Sequence, residues 1–495
     1  VRRGSIALGA ALCAVWAAAP AQGLTPIETS RKSEPIVLTG GELPRLIGAR
    51  PERLLAFALH KSESRDLNSW HPVPIQIDER KLVDFGKVPQ ANVDPGVEGT
   101  VYGTPPVGVT ALQYADPNTF VGPDDDPTFD SNDELVLTNN KIFRGLSARP
   151  DSQAPQGTRP GSATRIRIRD PLGSEPDTFI YLFRAKGGSA KRNDLDFVDY
   201  AFSLASGDYR QTYRRAAGPN PEDSSIHTAG YDAHFSDRWF YDRFRSRFTL
   251  NDQDLLDGYK FQFAPDSCAR SEATFNAGEG AFVANIDGPI RAIRSYVGAN
   301  SGPYTERTHY FYRWRHVIVT DLRVHPIPGA LVYHDMNETV FDPMTYYDSV
   351  NRGGVTADGQ PDTVDGTLPD WRFWTSSFTA GIEGSLWSAD RVQSSFKEAL
   401  LANTTGWYVD DSDPPYPQCW GDSEAIAQAG MRSTYPIPNT DPRTQPVESM
   451  RLTTTDISLP EVASPEDAVT TGDRLSAELD APFELSAKQA RLLSH

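Results

Sequence analysis

The stretch Arg307–Asp335, RTHYFYRWRHVIVTDLRVHPIPGALVYHD, holds His309, His316, His325 and His334, four of the nine histidines in the chain. Tyr310, Tyr312, Trp314 and Tyr333 are interleaved with Arg307, Arg313, Arg315 and Arg323. Aromatic and β-branched residues at this density favour strands, and strand geometry sends alternate side chains to opposite faces. Read as one strand, one face carries Tyr310, Tyr312, Trp314, His316 and Ile318. The other carries His309, Phe311, Arg313, Arg315, Val317 and Val319. Pro326-Ile327-Pro328-Gly329 makes a turn, and ALVYHD begins a return strand. Neither face is plainly apolar. The mixture predicts a polar-aromatic cleft, with rings that stack on sugars and Arg or His groups that donate to hydroxyls or carboxylates. The competing reading is aromatic sheet packing with the polar ends satisfied at the rim.

The pattern extends outward from this stretch. EPIVLTG, LLAFALHK, PVPIQIDER and DELVLTNNKIF read as strands near the start. TRIRIRDP alternates strictly, with Ile166 and Ile168 on one face and Arg165, Arg167 and Arg169 on the other. DTFIYLFRA, DYAFSLA, RFRSRFTL, GYKFQFA, GAFVANI and PIRAIRSYVG follow at short spacing. This density of strands predicts a mainly β fold, a large antiparallel β-sandwich with a smaller N-terminal β region. Gly145 to Ala163 has the composition of an exposed connection. The expected plan is a signal peptide over 1–21, an N-terminal β region over 24–144, a linker over 145–163, the main sandwich over 164–440, and an extended polar tail with a short helix over 441–495.

Composition bounds the function. Charged residues are 23% and apolar residues 38%, a globular balance, and 38 Gly with 39 Pro suit many short strands joined by turns. The net charge of −18 is the wrong sign for a general nucleic-acid binder. Arg2 and Arg3, the apolar run Ile6 to Ala18 and the small residues Ala19-Pro20-Ala21 read as a signal peptide, which predicts a secreted or periplasmic product. Removing it leaves Cys268 and Cys419, for which an oxidising compartment favours a disulfide over two separate buried thiols.

Two constellations carry candidate chemistry. A polysaccharide lyase neutralises a uronate carboxylate and removes the adjacent proton with Tyr or His. Arg307, His309, Tyr310 and His334 are the right types for catalysis, with Arg294, Tyr312, Trp314 and Tyr333 for substrate binding. A glycosidase needs two carboxylates flanking the bond, and Glu306, Asp321 and Asp335 are available. The acidic stretch with Asp124, Asp126, Asp130, Asn132 and Glu134 offers hard oxygen ligands for calcium, although it lacks the EF-hand pattern and ordinary turn chemistry reads the same way. TADGQPDTVDG and YVDDSDPPYPQCWGD are further acidic loops. No P-loop, GxGxxG after a strand, GxSxG, HExxH or CxxCH occurs.

VPIQIDER, FDSNDELVL, IDGPIRAIRSYVGANSGPYTERTHYFY and GGVTADGQPDTVDG resemble segments of a family of secreted bacterial β-proteins to which no named activity attaches. The strand pattern is similar, at the level of fold alone, to the galactose-mutarotase-like supersandwich of many carbohydrate-active enzymes. The expectation is a secreted carbohydrate-active protein, a polysaccharide lyase or glycoside hydrolase. The alternative is a non-catalytic extracellular or envelope protein that binds glycan on the same aromatics.

Overall fold

The computed structural model describes residues 31, 34–61, 68–84, 110–140, 143–149, 152–173, 176–187, 192–205, 221–248, 254–265, 267–277, 281–298, 305–322, 327–338, 344–375, 384–438, 450–460, 462 and 464–493. The expected signal peptide, Arg323 and His325 lie outside the described residues. Every ladder among the paired strands described is antiparallel, as the sequence predicts.

The opening stretch folds differently from a single strand. Thr305–Tyr312 and Arg315–Leu322 form a hairpin in which Arg307 faces Thr320, His309 faces Ile318 and Phe311 faces His316. Arg313 and Trp314 are its two-residue turn. That turn reverses the parity read from the sequence: His316 joins the face of His309, while Tyr310 and Val317 point the other way. Nor is Ala330–Met336 the return strand of this hairpin. It pairs with Leu256–Gln262 and Ala425–Ser433 in a different sheet.

The hairpin lies within a nine-stranded sheet. Its order is Ala281–Ile286, Arg291–Val297, Thr305–Tyr312, Arg315–Leu322, Met450–Pro460, Gly384–Gln393, Arg372–Thr375, Met344–Asp348 and Val355–Ala357. A second layer covers one face. It comprises a side sheet of Val198–Ala201, Ser224–Thr228, Tyr231–Asp237 and Phe240–Ser246, and a front sheet of Leu256–Gln262, Ala330–Met336, Ala425–Ser433 and Thr404–Asp411. The two halves meet at the Arg245–Asp254 bridge, where Leu255 N donates to Phe244 O at 2.8 Å. The main apolar core, including Phe235, Tyr259, Phe261, Phe311, Ile318, Met336 and Trp374, fills the space between the layers.

The reverse of the nine-stranded sheet is covered in two places. At one end stands an N-terminal sheet, Ile36–Thr39, Glu134–Leu137 and Ile75–Asp78. Val136 from it packs with Ile290 and Tyr312. At the other end the helix Pro465–Asp480 buries Ala468 and Leu475 against Trp371, Trp387 and Ile457. Ser464 caps that helix by accepting from Asp467 N at 3.1 Å, and Pro465 occupies its first turn.

Two expectations about organisation change. The stretch 441–495 is not an extended tail where it is described: Met450–Pro460 sits inside the large sheet, and Glu484–Gln489 pairs with Thr164–Arg169. The polar residues that suggested a tail are Thr454, Thr455, Asp456 and Ser458, all buried in sandwich or sheet contacts. The segment 145–163 is packed where it is described. Gly145 bridges to Phe179, Thr158 bridges to Ala185, and Ala154 and Ala163 are buried beside Tyr181 and Phe183. Leu54–Lys61 also pairs with Thr178–Arg184, so one sheet contains strands from both sides of the expected linker.

Candidate functional site

Three histidines converge between the layers. His309 Nε2 meets Tyr296 Oη at 2.8 Å, and His309 Nδ1 meets His316 Nε2 at 2.9 Å. His316 Nδ1 stands 3.9 Å from Asp456 Oδ2, which accepts from His334 Nε2 at 3.1 Å. One tautomer assignment satisfies this line: Tyr296 donates to His309, His309 to His316, and His334 to Asp456. Burial, then the neighbouring His316, Arg307 and Arg294, hold His309 well below the usual imidazole range. Burial pushes His316 down to about 3 despite the opposing Asp456 carboxylate. Burial pushes Asp456 up, but His334 and His316 outweigh it and leave the carboxyl below its ordinary value.

His309 and His334 therefore do belong to one network, joined through His316 and Asp456. They do not line a cleft. His309 has no exposure, and His316 and His334 are 1% exposed, so no substrate atom can reach them in this arrangement. Phe235, Tyr241, Phe311 and Trp374 enclose them.

The other proposed catalytic and substrate-binding residues divide between the two faces. Arg307 is buried beneath Trp239, Tyr259 and Phe261, with its guanidinium 4.6 Å from the Phe261 ring and Nε donating to Thr320 at 3.0 Å. Arg294 is a buried ion-pair partner of Glu222, with Nη1 at 2.9 Å, and lies 4.0 Å from the Phe235 ring. Tyr310 and Tyr312 face the reverse side. There Arg291 binds Asp78, Glu134 and the Tyr312 hydroxyl, while Tyr114 donates to Tyr310 at 3.1 Å. Trp314, in the turn, stacks on Phe248. The expected quartet His309, His334, Tyr310 and Arg307 is thus split by the sheet: Tyr310 alternates with Arg307 and His309 along one strand and so points to the opposite face.

The carboxylates of the acidic loops accept hydrogen bonds from nearby backbone amides. Asp130 accepts from the Asn132 amide at 2.7 Å, Asp133 from the Asp130 and Arg80 amides, and Asp126 from the Thr128 amide. Asp124 accepts from the Asp125 amide, and Glu134 turns inward to Arg80, Arg291 and Tyr114. Asp358, Asp365, Asp411 and Asp422 each accept from an amide two residues on. Among the described residues no group of three or more His, Cys, Asp or Glu is placed to hold a metal ion.

Tyr333 leads to a different place. On Ala330–Met336 the residues Val332, His334 and Met336 face the interior, and Leu331, Tyr333 and Asp335 face outward. Tyr333 pairs with Lys260 on one side and Gly430 on the other, and Gly430 pairs with Trp407. Because Gly430 has no side chain, Tyr333 and Trp407 approach across it, with centroids 6.4 Å apart. The loop 412–424 folds over this outer face and brings Tyr416 to 6.0 Å from Trp407. The expected disulfide pins the loop: Cys419 bonds Cys268, with Cα atoms 5.2 Å apart. Trp420 stacks on Phe240 at 4.6 Å and passes so close to Gly258 that a Cβ there would lie 2.6 Å from its ring. Beneath Trp420, buried Lys260 holds Asp335 at 2.5 Å and Asp257 at 2.8 Å.

The result is a cavity of about 250 Å³ lined by Tyr333, Trp407, Tyr416, Leu331, Gln262 and Arg432, with the disulfide in its wall. Of its aromatic residues the sequence reading reached Tyr333 alone. Trp407 and Tyr416 flank YVDDSDPPYPQCWGD or lie within it, a segment whose acids drew the reading away from its aromatic, proline and cysteine content.

No family model and no curated protein matches the chain. Among solved structures, a chain described as an aldose 1-epimerase from Escherichia coli K12 is similar over 52% of this chain and 99% of its own, at 11% identity and a TM-score of 0.23. A chain described as a kojibiose phosphorylase from the human microbiome is similar over 59% of this chain and 31% of its own, at 9% identity and a TM-score of 0.14. What defines this molecule is its own architecture, a large antiparallel β-sandwich carrying an aromatic pocket on the outer face of its front sheet. No helix among the described residues is long and apolar enough to cross a membrane.

Proposed function

We propose that this is a secreted glycan-binding protein whose binding site is the pocket of Tyr333, Trp407 and Tyr416. The observation that carries the reading is the set of three aromatic rings around a cavity of about 250 Å³ on the outward side of the sheet. Trp407 and Tyr416 are half-buried and present apolar ring faces that match the C–H faces of a sugar and exclude water, with the buried Tyr333 behind them in the pocket wall. Gln262 and Arg432 add polar groups at the same wall. The burial of His309, His316 and His334 favours binding over catalysis, because a general acid or base must come within hydrogen-bond reach of its substrate. The disulfide favours an extracytoplasmic site of action.

Affinity electrophoresis against neutral and uronate-containing polysaccharides tests the proposal. Wild type is expected to be retarded by at least one polymer. Trp407→Ala or Tyr416→Ala is expected to weaken retention about 30-fold, the equivalent of about 2 kcal/mol for a central aromatic contact. Unchanged retention in both variants, or none in wild type, defeats the assignment. New unsaturated or reducing ends released by wild type would restore the lyase or hydrolase reading.

A further inference from the structure

The chain carries 66 acidic against 48 basic residues, yet one cavity reverses the sign. It measures about 410 Å³ and is lined by Arg50, Arg53, Arg159, Arg184 and Lys186 together with glycine and alanine, and among the described residues no acidic side chain is in its wall. A second cavity of similar size, about 440 Å³, is lined instead by Asp78, Glu79 and Asp116, so convergence of cations is not general to this surface.

The basic cavity is built on ordered backbone. Ala185 N donates to Arg53 O at 2.9 Å, Lys186 N to Gly157 O at 2.7 Å, and Arg159 N to Arg184 O at 2.9 Å. These bonds bring three separate segments of chain to one rim. Arg184 is fixed further, with Nε donating to Arg45 O at 3.0 Å and Nη2 to Ile47 O. Both acceptors are neutral carbonyls, so the position of the guanidinium is set while its charge stays uncompensated. Arg50 reaches Glu52 only at 3.9 Å, with both side chains largely exposed, an arrangement worth little. Among the described residues Arg53, Arg159 and Lys186 have no ion-pair partner.

We infer that this cavity binds a compact polyanion carrying several phosphate groups. Arginine stays protonated at any working pH, and its planar fork matches phosphate oxygens in pairs. Five cations around so small a space repel one another, and a ligand that concentrates several negative charges relieves that repulsion. A uronate glycan carries about one charge per sugar and brings too few charges into the cavity. A short phosphate chain or a phosphorylated headgroup brings enough. The site is separate from the aromatic pocket, and the two share no lining residue.

Titration calorimetry of the full chain with tripolyphosphate at low salt tests the inference, alongside co-sedimentation with vesicles containing phosphatidylinositol 4,5-bisphosphate, whose headgroup carries several phosphates. The Arg53→Gln/Arg159→Gln double variant alters exposed side chains, and its thermal unfolding is checked against wild type. Lys397→Gln, an exposed position on a different segment, is the charge control. Saturable tripolyphosphate binding that weakens at least about tenfold in the double variant but less than about twofold in Lys397→Gln supports a soluble phosphate ligand. The same pattern with vesicles alone supports a lipid-borne phosphate as the source. Binding to neither probe, or equal weakening in the double variant and the control, overturns the proposal, since a general polyanion response would follow net charge and not this cavity.

Discussion

Glu272 has no exposure, and one carboxyl oxygen accepts from the Phe261 amide while Oε2 is buried without a hydrogen-bond partner. Burial pushes its pKa up to about 8, against the pull of its own amide hydrogen bond and of Arg307. The native state therefore keeps a proton there that the unfolded chain releases near its ordinary value of 4.5. The stabilisation from that proton is complete below about 4.5 and is lost as pH rises to about 8. His316 acts in the opposite sense. Its folded value of about 3 makes the native state release a proton that the unfolded chain holds up to 6.5, so its contribution is lost as pH falls from 6.5 towards 3. Glu272→Gln is expected to remove the first effect alone. In urea melts at successive pH values from 4.5 to 8, wild type should lose stability relative to the variant by up to about 1.4 kcal/mol per pH unit. A constant difference across that range would show that Glu272 is ionised in the native protein. The sequence could not reveal this residue as unusual, because its burial and the pull of Arg307 arise only once separate segments of the chain pack together.

At the scale of elements, the front sheet depends on a missing side chain. A Cβ at Gly430 would lie 1.9 Å from Val332 O and 2.6 Å from the Tyr333 Cα, both backbone atoms in a paired strand. Gly430→Ala must therefore spread the strands, at a cost of about 3 kcal/mol or more, and displace Tyr333 from Trp407. Thermal unfolding should fall, and whatever glycan the pocket retains should be released; an unchanged melting curve would mean that the strands already stand further apart. The loop above the sheet depends on its covalent tether. Cys268 and Cys419 are 151 residues apart, and closing a loop of that length stabilises by at most roughly 5 kcal/mol in the chain-entropy model. Cys268→Ser/Cys419→Ser is expected to lower the unfolding midpoint and weaken glycan retention together. Retention that survives intact would show that Trp420 on Phe240 is enough to hold the roof. Sequence legibility also varied by element. Thr164–Arg169 alternates in the structure as it does in the sequence, because one flank faces a core and the other faces water. The opening hairpin misled because Arg313-Trp314 carries none of the Gly or Asn signals of a two-residue turn. Without that break, every residue beyond it was assigned to the wrong face.

For the whole molecule, the most consequential segment is the one that composition marked as a tail. Met450–Pro460 pairs along its length with Arg315–Leu322 on one edge and with Gly384–Gln393 on the other. It is the join between the two halves of the nine-stranded sheet, and it supplies Asp456 to His316 and His334 and Thr454 to Tyr259, at 2.7 Å for the last contact. The following helix covers Trp371 and Trp387, and Glu484–Gln489 then closes an edge of the sheet that also contains Leu54–Lys61. At the other end of the chain Arg31 donates to Ala481 O at 3.1 Å and pairs with Asp170, so N-terminal and C-terminal segments are held together. A chain ending at residue 440 would lose the middle strand of its main sheet, expose two long unpaired edges and leave buried histidines without their carboxylate. Such edges template aggregation. The truncated chain is expected to be recovered insoluble, or as a species with strand-like far-ultraviolet dichroism and no cooperative melt. A chain ending after residue 460 restores the join while lacking the helix and the last strand, and should recover part of the cooperativity. If the 440 truncation instead melts in one transition at the wild-type midpoint, Met450–Pro460 is dispensable, and the sandwich must be closed by contacts other than this strand.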